Sequence, residues 1–340
     1  MRSVEAQLLH RPSGLTAADV VRHLTAIQAQ DVPSALLAFR ARSATLAPSG
    51  IEAAWQAREI VRTWGPRGTL HFVHADDLPW IHTLTSSDTA ALRRLRQEGV
   101  TGDDLLPLAE GALAGQGPLT KAELTERLGG RARGQGVVHL MALAAHHGLA
   151  VLGPSRAGKP TYVHAGDWLG APVVPEPDRG KALKELAVRY RRAHHPATPE
   201  DLAAWSGLPL GEARAAWRTS AAQDPPEPGE PVLRLAPAFD EYLMGWHGRD
   251  GVLAPEHAAK VFPGGGVLRP VVLFAGTVAG VWSRKGAQVS VQPFGELPEE
   301  LVRAEVEDVR RFLGGRPTPT RAMTSSPMPS ACPGKRACDR

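Results

Sequence analysis

The chain has 340 residues, enough for about two domains or several small ones, and 43% apolar content supports real cores. Residues 1–14 carry no long apolar run, and no stretch reaches the ~18 apolar residues of a membrane span, so neither a secretory leader nor a membrane partner is expected. Both cysteines, Cys332 and Cys338, lie in the tail, which excludes a disulfide framework or a Cys-based zinc site in the body and points to the cytoplasm. The net charge is +4, but Arg316, Arg321, Lys335, Arg336 and Arg340 against Asp339 place that excess in residues 314–340. Residues 1–313 balance at 34 basic and 34 acidic, so any anion-binding surface must be a local cluster.

In chain order, residues 15–43 come first. Val20, Val21, Leu24 and Ile27 share a helical stripe, and Thr16 with Asp19 forms a capping box. Pro33 predicts that this helix ends near Gln30 or Asp31. In a straight helix Gln28 and Gln30 point about 200° apart. At an unwinding helix end their amides can converge on one space; the alternative is two solvated glutamines. A second apolar run follows (Ala35, Leu36, Leu37, Phe39).

Residues 51–64 read as a further helix, broken by Gly65-Pro66 and Gly68, and Thr69–Val73 as a strand. Asp76, Asp77 and Pro79 start a helix through Trp80 and Leu84, and a basic helix with Arg93, Arg94 and Arg96 follows. The start seen in LTAADVV (15–21) recurs in LTKAELT (119–125) and ATPEDLA (197–203). Each puts Thr at the N-cap and Asp or Glu at N3, which suggests three small helical modules.

The second module pairs its first helix with 137–147. Two β-rich arms, Leu149–Leu152 and Thr161–Val163, then flank a turn bearing Arg156 and Lys159. Helix, helix, hairpin is the order of a winged helix, whose basic tip either touches phosphate or is simply solvated. In the third module Asp201–Ser206, Gly207-Leu208-Pro209 and Gly211–Trp217 have helix-turn-helix spacing. Its second helix offers only Arg214 and Arg218 against Glu212, few side chains for reading bases, so the motif can be a scaffold. DPPEPGEP (224–231) is a linker; Val232–Leu235 and three runs within 266–294 predict a small barrel or open sheet. Leu297–Leu313 is a closing helix, and the Pro/Ser/Thr-rich residues 314–340 are expected to be disordered.

His146-His147 and His194-His195 do not read as metal sites, because helical neighbours point about 100° apart. Asp240-Glu241-Tyr242 reads as a structural turn or cap in preference to a catalytic carboxylate. No GxSxG, HExxH, P-loop or dinucleotide fingerprint is present, and Gly264-Gly265-Gly266 lacks the lysine and helix of a phosphate loop. No cofactor or metal is expected.

Four stretches in order, LTAIQAQDVPSALLAFRAR, RTWGPRGTLHFVHADDL, LAPAFDEYLMGW and HAAKVFPGGGVLRPVVLFAGTVAGVW, carry a resemblance. Over about residues 2–313 the chain is similar to the winged-helix proteins of the AlkZ/YcaQ class, the crosslink-repair DNA glycosylases. The resemblance implies an α+β fold of three tandem winged-helix domains and a small C-terminal β-barrel, wrapped in a C around a basic channel. The expected divisions are 1–100, 101–175, 176–223, 224–313 and the tail 314–340. It also implies a Gln-x-Gln or Gln-x-Asp motif at the channel, onto which Gln28 and Gln30 fall, in the Gln-x-Gln branch. Gly65-Pro66 before Arg67 departs from the family's pattern. The expected DNA contacts are Arg67, Arg156, Lys159, Arg284 and Lys285.

The implied activity is hydrolysis of the N-glycosidic bond of N7-alkylated guanine, including unhooking of interstrand crosslinks, on double-stranded DNA. Such a base is cationic and leaves neutral, so the task that remains is placing water beside an oxocarbenium-like sugar. Two amides can orient that water. No lysine lies in the Gln28 stretch, which favours a monofunctional enzyme over a lyase. The expectation is a cytoplasmic monomer, nucleoid-associated when bound to DNA. The alternatives are a non-catalytic winged-helix DNA-binding regulator and a protein–protein scaffold.

Overall fold

The computed structural model describes residues 3–221, 226–227, 229–286 and 288–314; the expected disordered tail lies, Gly314 apart, outside them. Helix α1 (Ala17–Leu24) starts at the Thr16–Asp19 capping box and buries Val20, Val21 and Leu24. It ends at Leu24, earlier than Pro33 suggested, because Thr25 takes φ 77° and the chain extends into strand β1 (Ile27–Gln28). Asp31 then caps α2 (Val32–Arg42), accepting from Ser34 N at 3.0 Å. Pro33 therefore sits in the first turn of α2, where its missing N–H costs nothing, and terminates no helix.

The helix expected over 51–64 is also corrected. Helix α3 (Pro48–Gln56) stops at a Schellman-type turn: Arg58 takes φ 66° and Glu59 N donates to Ala54 O at 3.0 Å. The β-branched Ile60, Val61 and Thr63 then form β2 (Ile60–Trp64), which pairs antiparallel with β3 (Leu70–His74), the strand read from the sequence.

Next come α4 (Leu78–Thr85), the basic α5 (Asp88–Gln97), α6 (Leu105–Leu113), β4 (Leu119–Thr120) and α7 (Lys121–Arg127), the last opened by the Thr120–Glu123 box. Helix α8 (Gln135–His146) leads into the hairpin β5 (Ala150–Arg156) and β6 (Lys159–His164), followed by α9 (Ala165–Leu169). Residues 176–221 hold α10 (Arg179–Ala193), α11 (Pro199–Ser206) and α12 (Leu210–Thr219), with no strand among the described residues. The C-terminal part comprises β7 (Leu233–Ala236), α13 (Glu241–Met244), α14 (Ala258–Val261), β8 (Val271–Phe274), β9 (Thr277–Lys285), β10 (Gln288–Pro293) and α15 (Glu299–Phe312).

The fold is thus mixed α and β, with two antiparallel sheets. The larger has the order β1-β3-β2-β5-β6-β4, so strands from residues 27 to 164 form one sheet, joined where Arg62 pairs with Leu152. Trp55 Nε1 reinforces that junction by donating to Leu152 O at 3.1 Å. The smaller sheet, β10-β9-β8-β7, is open among the described residues, in place of the expected barrel. Helix α15 packs on β7 and β10, and buried Glu305 accepts from Leu235 N at 3.0 Å, so the edge strand's donor is met by a helix side chain.

One core joins α1, α2 and α3 to the small sheet and α15. A second places α10, α11 and α12 against Val61 and Val73 of the larger sheet. Two ion-pair groups with buried arginines tie α2 to the C-terminal part. Arg40, fully buried, donates to Glu305 at 3.0 Å and Asp308 at 2.8 Å, while Arg42 grips both oxygens of Asp240 at 2.8 Å. No helix of the described residues is long and apolar enough to cross a membrane.

Candidate functional site

Strand β1 lies at the edge of the larger sheet, with Gln28 directly across from His71. Ala29 N donates inward to Leu70 O at 2.7 Å, and Ala29 O accepts from Arg62 Nε at 3.0 Å. The neighbouring Gln28 N–H faces away from the sheet and donates to Glu241 Oε1 at 2.9 Å. The other oxygen of Glu241 accepts from Trp205 Nε1 at 2.9 Å. Asp240, next to Glu241, caps α13 and is held by Arg42, so the structural reading of this acidic pair fits Asp240. Glu241 instead reaches the glutamine motif.

The two glutamines differ. Gln30 is exposed and lines a groove, and its Oε1 accepts from Leu70 N at 3.2 Å. Because that backbone N–H can only donate, the Gln30 amide is oriented with Nε2 as its remaining, donating end. Gln28 is half-buried and is not among the groove's lining residues, and its Oε1 is a buried acceptor without a partner among the described residues.

Arg62 Nη1, Arg67 Nη2 and His71 Nε2 are further buried polar atoms without a partner among the described residues. A buried polar group in this condition calls for water or ligand. His71 Nδ1 lies 2.9 Å from Thr69 O, which can only accept, so Nδ1 carries the proton and Nε2 is an acceptor. Burial pushes the His71 pKa down to about 3, and the Arg67 charge adds to that against the Thr69 hydrogen bond. Burial lowers Arg62 to about 10, so it stays charged at neutral pH. Burial raises the Glu241 carboxyl, opposed by the Arg67 charge and by the hydrogen bonds from Trp205 and Gln28.

The groove has a volume of about 810 Å³. Gln30, Trp64, Arg67 and Leu70 form one wall, Ser86, Ser87 and Arg94 another, and His139 and His146 come from α8. The helix-turn-helix contributes Gly207, Leu208, Pro209 and Glu212, the last paired with the lining Arg179 at 2.7 Å. Gly207 takes φ 79° to end α11, and a Cβ there would press at 3.4 Å on Arg67 Cα. The turn thus lies flush against the β2–β3 connection. Arg67 takes φ 57° and turns Nη1 inward to the Trp205 carbonyl.

The structure therefore brings Gln30 and Arg67 into one groove, while Gln28 does not line it and lies two residues away on β1, opposite His71. Arg156 and Lys159 sit exposed at the tip of the β5–β6 hairpin, where Arg156 pairs with Glu123. Arg284 and Lys285 end β9 in the smaller sheet, also exposed. None of these four lines the groove. On α12, Arg214 pairs with Glu200 at 2.8 Å, which leaves that helix still fewer groups to read bases. Sequence reasoning did not single out His71 or Trp205, and it named Arg94 only as part of a basic helix. For His71 a signal existed, a lone imidazole in the apolar strand LHFV.

The described residues contain no cluster of three His, Cys, Asp or Glu that could hold a metal ion. Comparison with known proteins gives one relation throughout. The interstrand DNA cross-link repair glycosylase of Streptomyces sahachiroi is 29% identical, with 94% of this chain and 96% of that protein covered. The solved structure of Streptomyces sahachiroi DNA glycosylase AlkZ superposes with a TM-score of 0.78 at 26% identity, over 94% of this chain and 96% of that one. The AlkZ-like DNA glycosylase family matches residues 21–314, and the chain belongs to that family.

Proposed function

We propose that this protein is a monofunctional DNA glycosylase that hydrolyses the N-glycosidic bond of N7-alkylated guanine and unhooks interstrand crosslinks built on such bases. The observation that carries the reading is the Gln28–Gln30 pair. It combines a buried, unpartnered acceptor, Gln28 Oε1, with an amide at the groove whose donating end is set by Leu70 N–H. Water that donates to Gln28 Oε1 and accepts from Gln30 Nε2 keeps a lone pair for the sugar. Its oxygen bonds to C1′ as the C1′–N9 bond breaks with its electron pair going to the base, and a proton leaves the water for solvent. The cationic base departs neutral, so no general acid is required. Rate comes from placing the water, which is a positional task.

Two further features support this. The groove is open and bears Arg94, for which the described residues provide no ion pair, alongside Arg67 and Arg179. A bulky crosslinked base can be handled there without complete extrusion into a tight pocket. The similarity to a protein named for interstrand crosslink repair spans nearly the whole of both chains. In this reading the chain works on double-stranded DNA through tandem helix-turn-helix modules, the third without a wing among its described residues, and a C-terminal sheet, and Arg156, Lys159, Arg284 and Lys285 meet phosphates. The test is incubation with duplex DNA carrying N7-methylguanine or a nitrogen-mustard crosslink, then alkaline cleavage of abasic sites. Strand cleavage at the lesion is expected. Binding without cleavage would leave a DNA-binding protein without catalysis.

A further inference from the structure

We propose that Glu241 is a positioning residue for base excision: it fixes the backbone beneath Gln28 and acts through that glutamine. This rests on the glycosylase reading above. Strand β1 is two residues long and pairs on one side only, so the outward N–H of Gln28 has no strand to meet it. Glu241 Oε1 takes that N–H at 2.9 Å, and Oε2 takes Trp205 Nε1 at 2.9 Å. The carboxylate is 1% exposed. It is held from behind: Asp240 is gripped by Arg42, and Arg42 Nη2 donates to Gln7 Oε1 at 3.0 Å.

A lone edge N–H could be met by any neutral acceptor, and burying a carboxylate is costly unless it is fully hydrogen-bonded. What demands a carboxylate here is that both partners are donors. One bond comes from the water-holding motif and the other from the helix-turn-helix whose turn lines the groove. Glu241 therefore sets the height of Gln28 relative to the groove wall across which the DNA would lie.

This arrangement dictates a specific test. A glutamine at 241 can accept one N–H but presents its own NH2 to the other, so Glu241→Gln puts two donors face to face. Trp205→Phe removes one of those donors. On full-length protein, E241Q should slow single-turnover excision of N7-methylguanine about tenfold with DNA affinity nearly unchanged, and the double variant E241Q/W205F should recover to within about threefold of W205F. Added to Gln28→Ala, E241Q should cost less than about twofold more, because it acts through the missing side chain. Independently of activity, hydrogen exchange at the Gln28 amide should accelerate in E241Q and slow again in E241Q/W205F. Loss that multiplies on the Gln28→Ala background, or unchanged Gln28 exchange in E241Q, overturns the proposal. If wild type excises nothing the glycosylase reading fails, while the exchange measurement still decides whether Glu241 holds Gln28.

Discussion

Acid should destabilise this protein through His71. The ring is fully buried, and its pKa is pushed down from the usual 6.5 to about 3 by burial beside Arg67. Unfolded, the same imidazole titrates near 6.5. Between those values the unfolded chain binds a proton that the folded chain refuses, so stability falls as pH drops below about 6.5. At pH 5.5 the unfolded state gains about 1.4 kcal/mol from this one group, against about 0.1 kcal/mol at pH 7.5. For a chain of this size that is roughly 2 °C in Tm. Other half-buried histidines, His23, His82 and His146, are lowered in the same sense, whereas Glu241, raised by burial, has the opposite sign. The comparison must therefore be made against His71→Asn, whose amide can still donate to Thr69 O. Thermal unfolding of both proteins at pH 7.5 and 5.5 isolates the term: wild type should lose about 1.3 kcal/mol more than the variant over that interval. Parallel losses would refute the reasoning and mean that His71 is hydrated or charged in the fold.

Two other expectations concern the frame and the wing. Arg40→Ala should leave buried Glu305 and half-buried Asp308 without their main partner and cost about 3–5 kcal/mol, seen as a lower denaturant midpoint; a change under about 1 kcal/mol would mean that Arg11 and Arg234 carry the pair alone. Replacing Arg156 and Lys159 with Ala should weaken binding to all DNA sequences alike and flatten the salt dependence. Because Arg156 already pairs with Glu123, Lys159→Ala alone should give most of that effect. An unaltered salt slope in the double variant would remove the hairpin from the interface.

What the sequence disclosed was local. The three capping boxes at Thr16, Thr120 and Thr198 depend on residues three apart, and all three form. The hairpin around Gly158 and the helix-turn-helix around Gly207 were equally legible from turn chemistry. Errors arose where a residue signals two things. Pro33 stops one helix or starts another, and Asp31 decides for the second. Ile60 and Val61 fit a helical stripe as well as a strand, and the turn at Arg58 carries no glycine to mark it. The strand pattern left barrel and open sheet both possible, and Glu305, not another strand, meets the edge at Leu235. At the site, Gln28 and Gln30 stood out only through the resemblance. Glu241 read as part of a turn because its true partner is 213 residues away. No spacing rule spans such a gap.

The central claim is that Gln28 and Gln30 hold the attacking water. Single-turnover excision of N7-methylguanine by wild type, Gln28→Ala, Gln30→Ala and the double variant tests it most directly, with DNA affinity measured alongside. Each single variant should be slowed while binding stays near normal, because a neutral amide adds little to phosphate attraction. The loss should be partial, since the cationic base departs readily. The double variant should be little worse than the slower single one, as for groups acting on one water. Wild-type rates in both single variants would contradict the account and remove the pair from the mechanism.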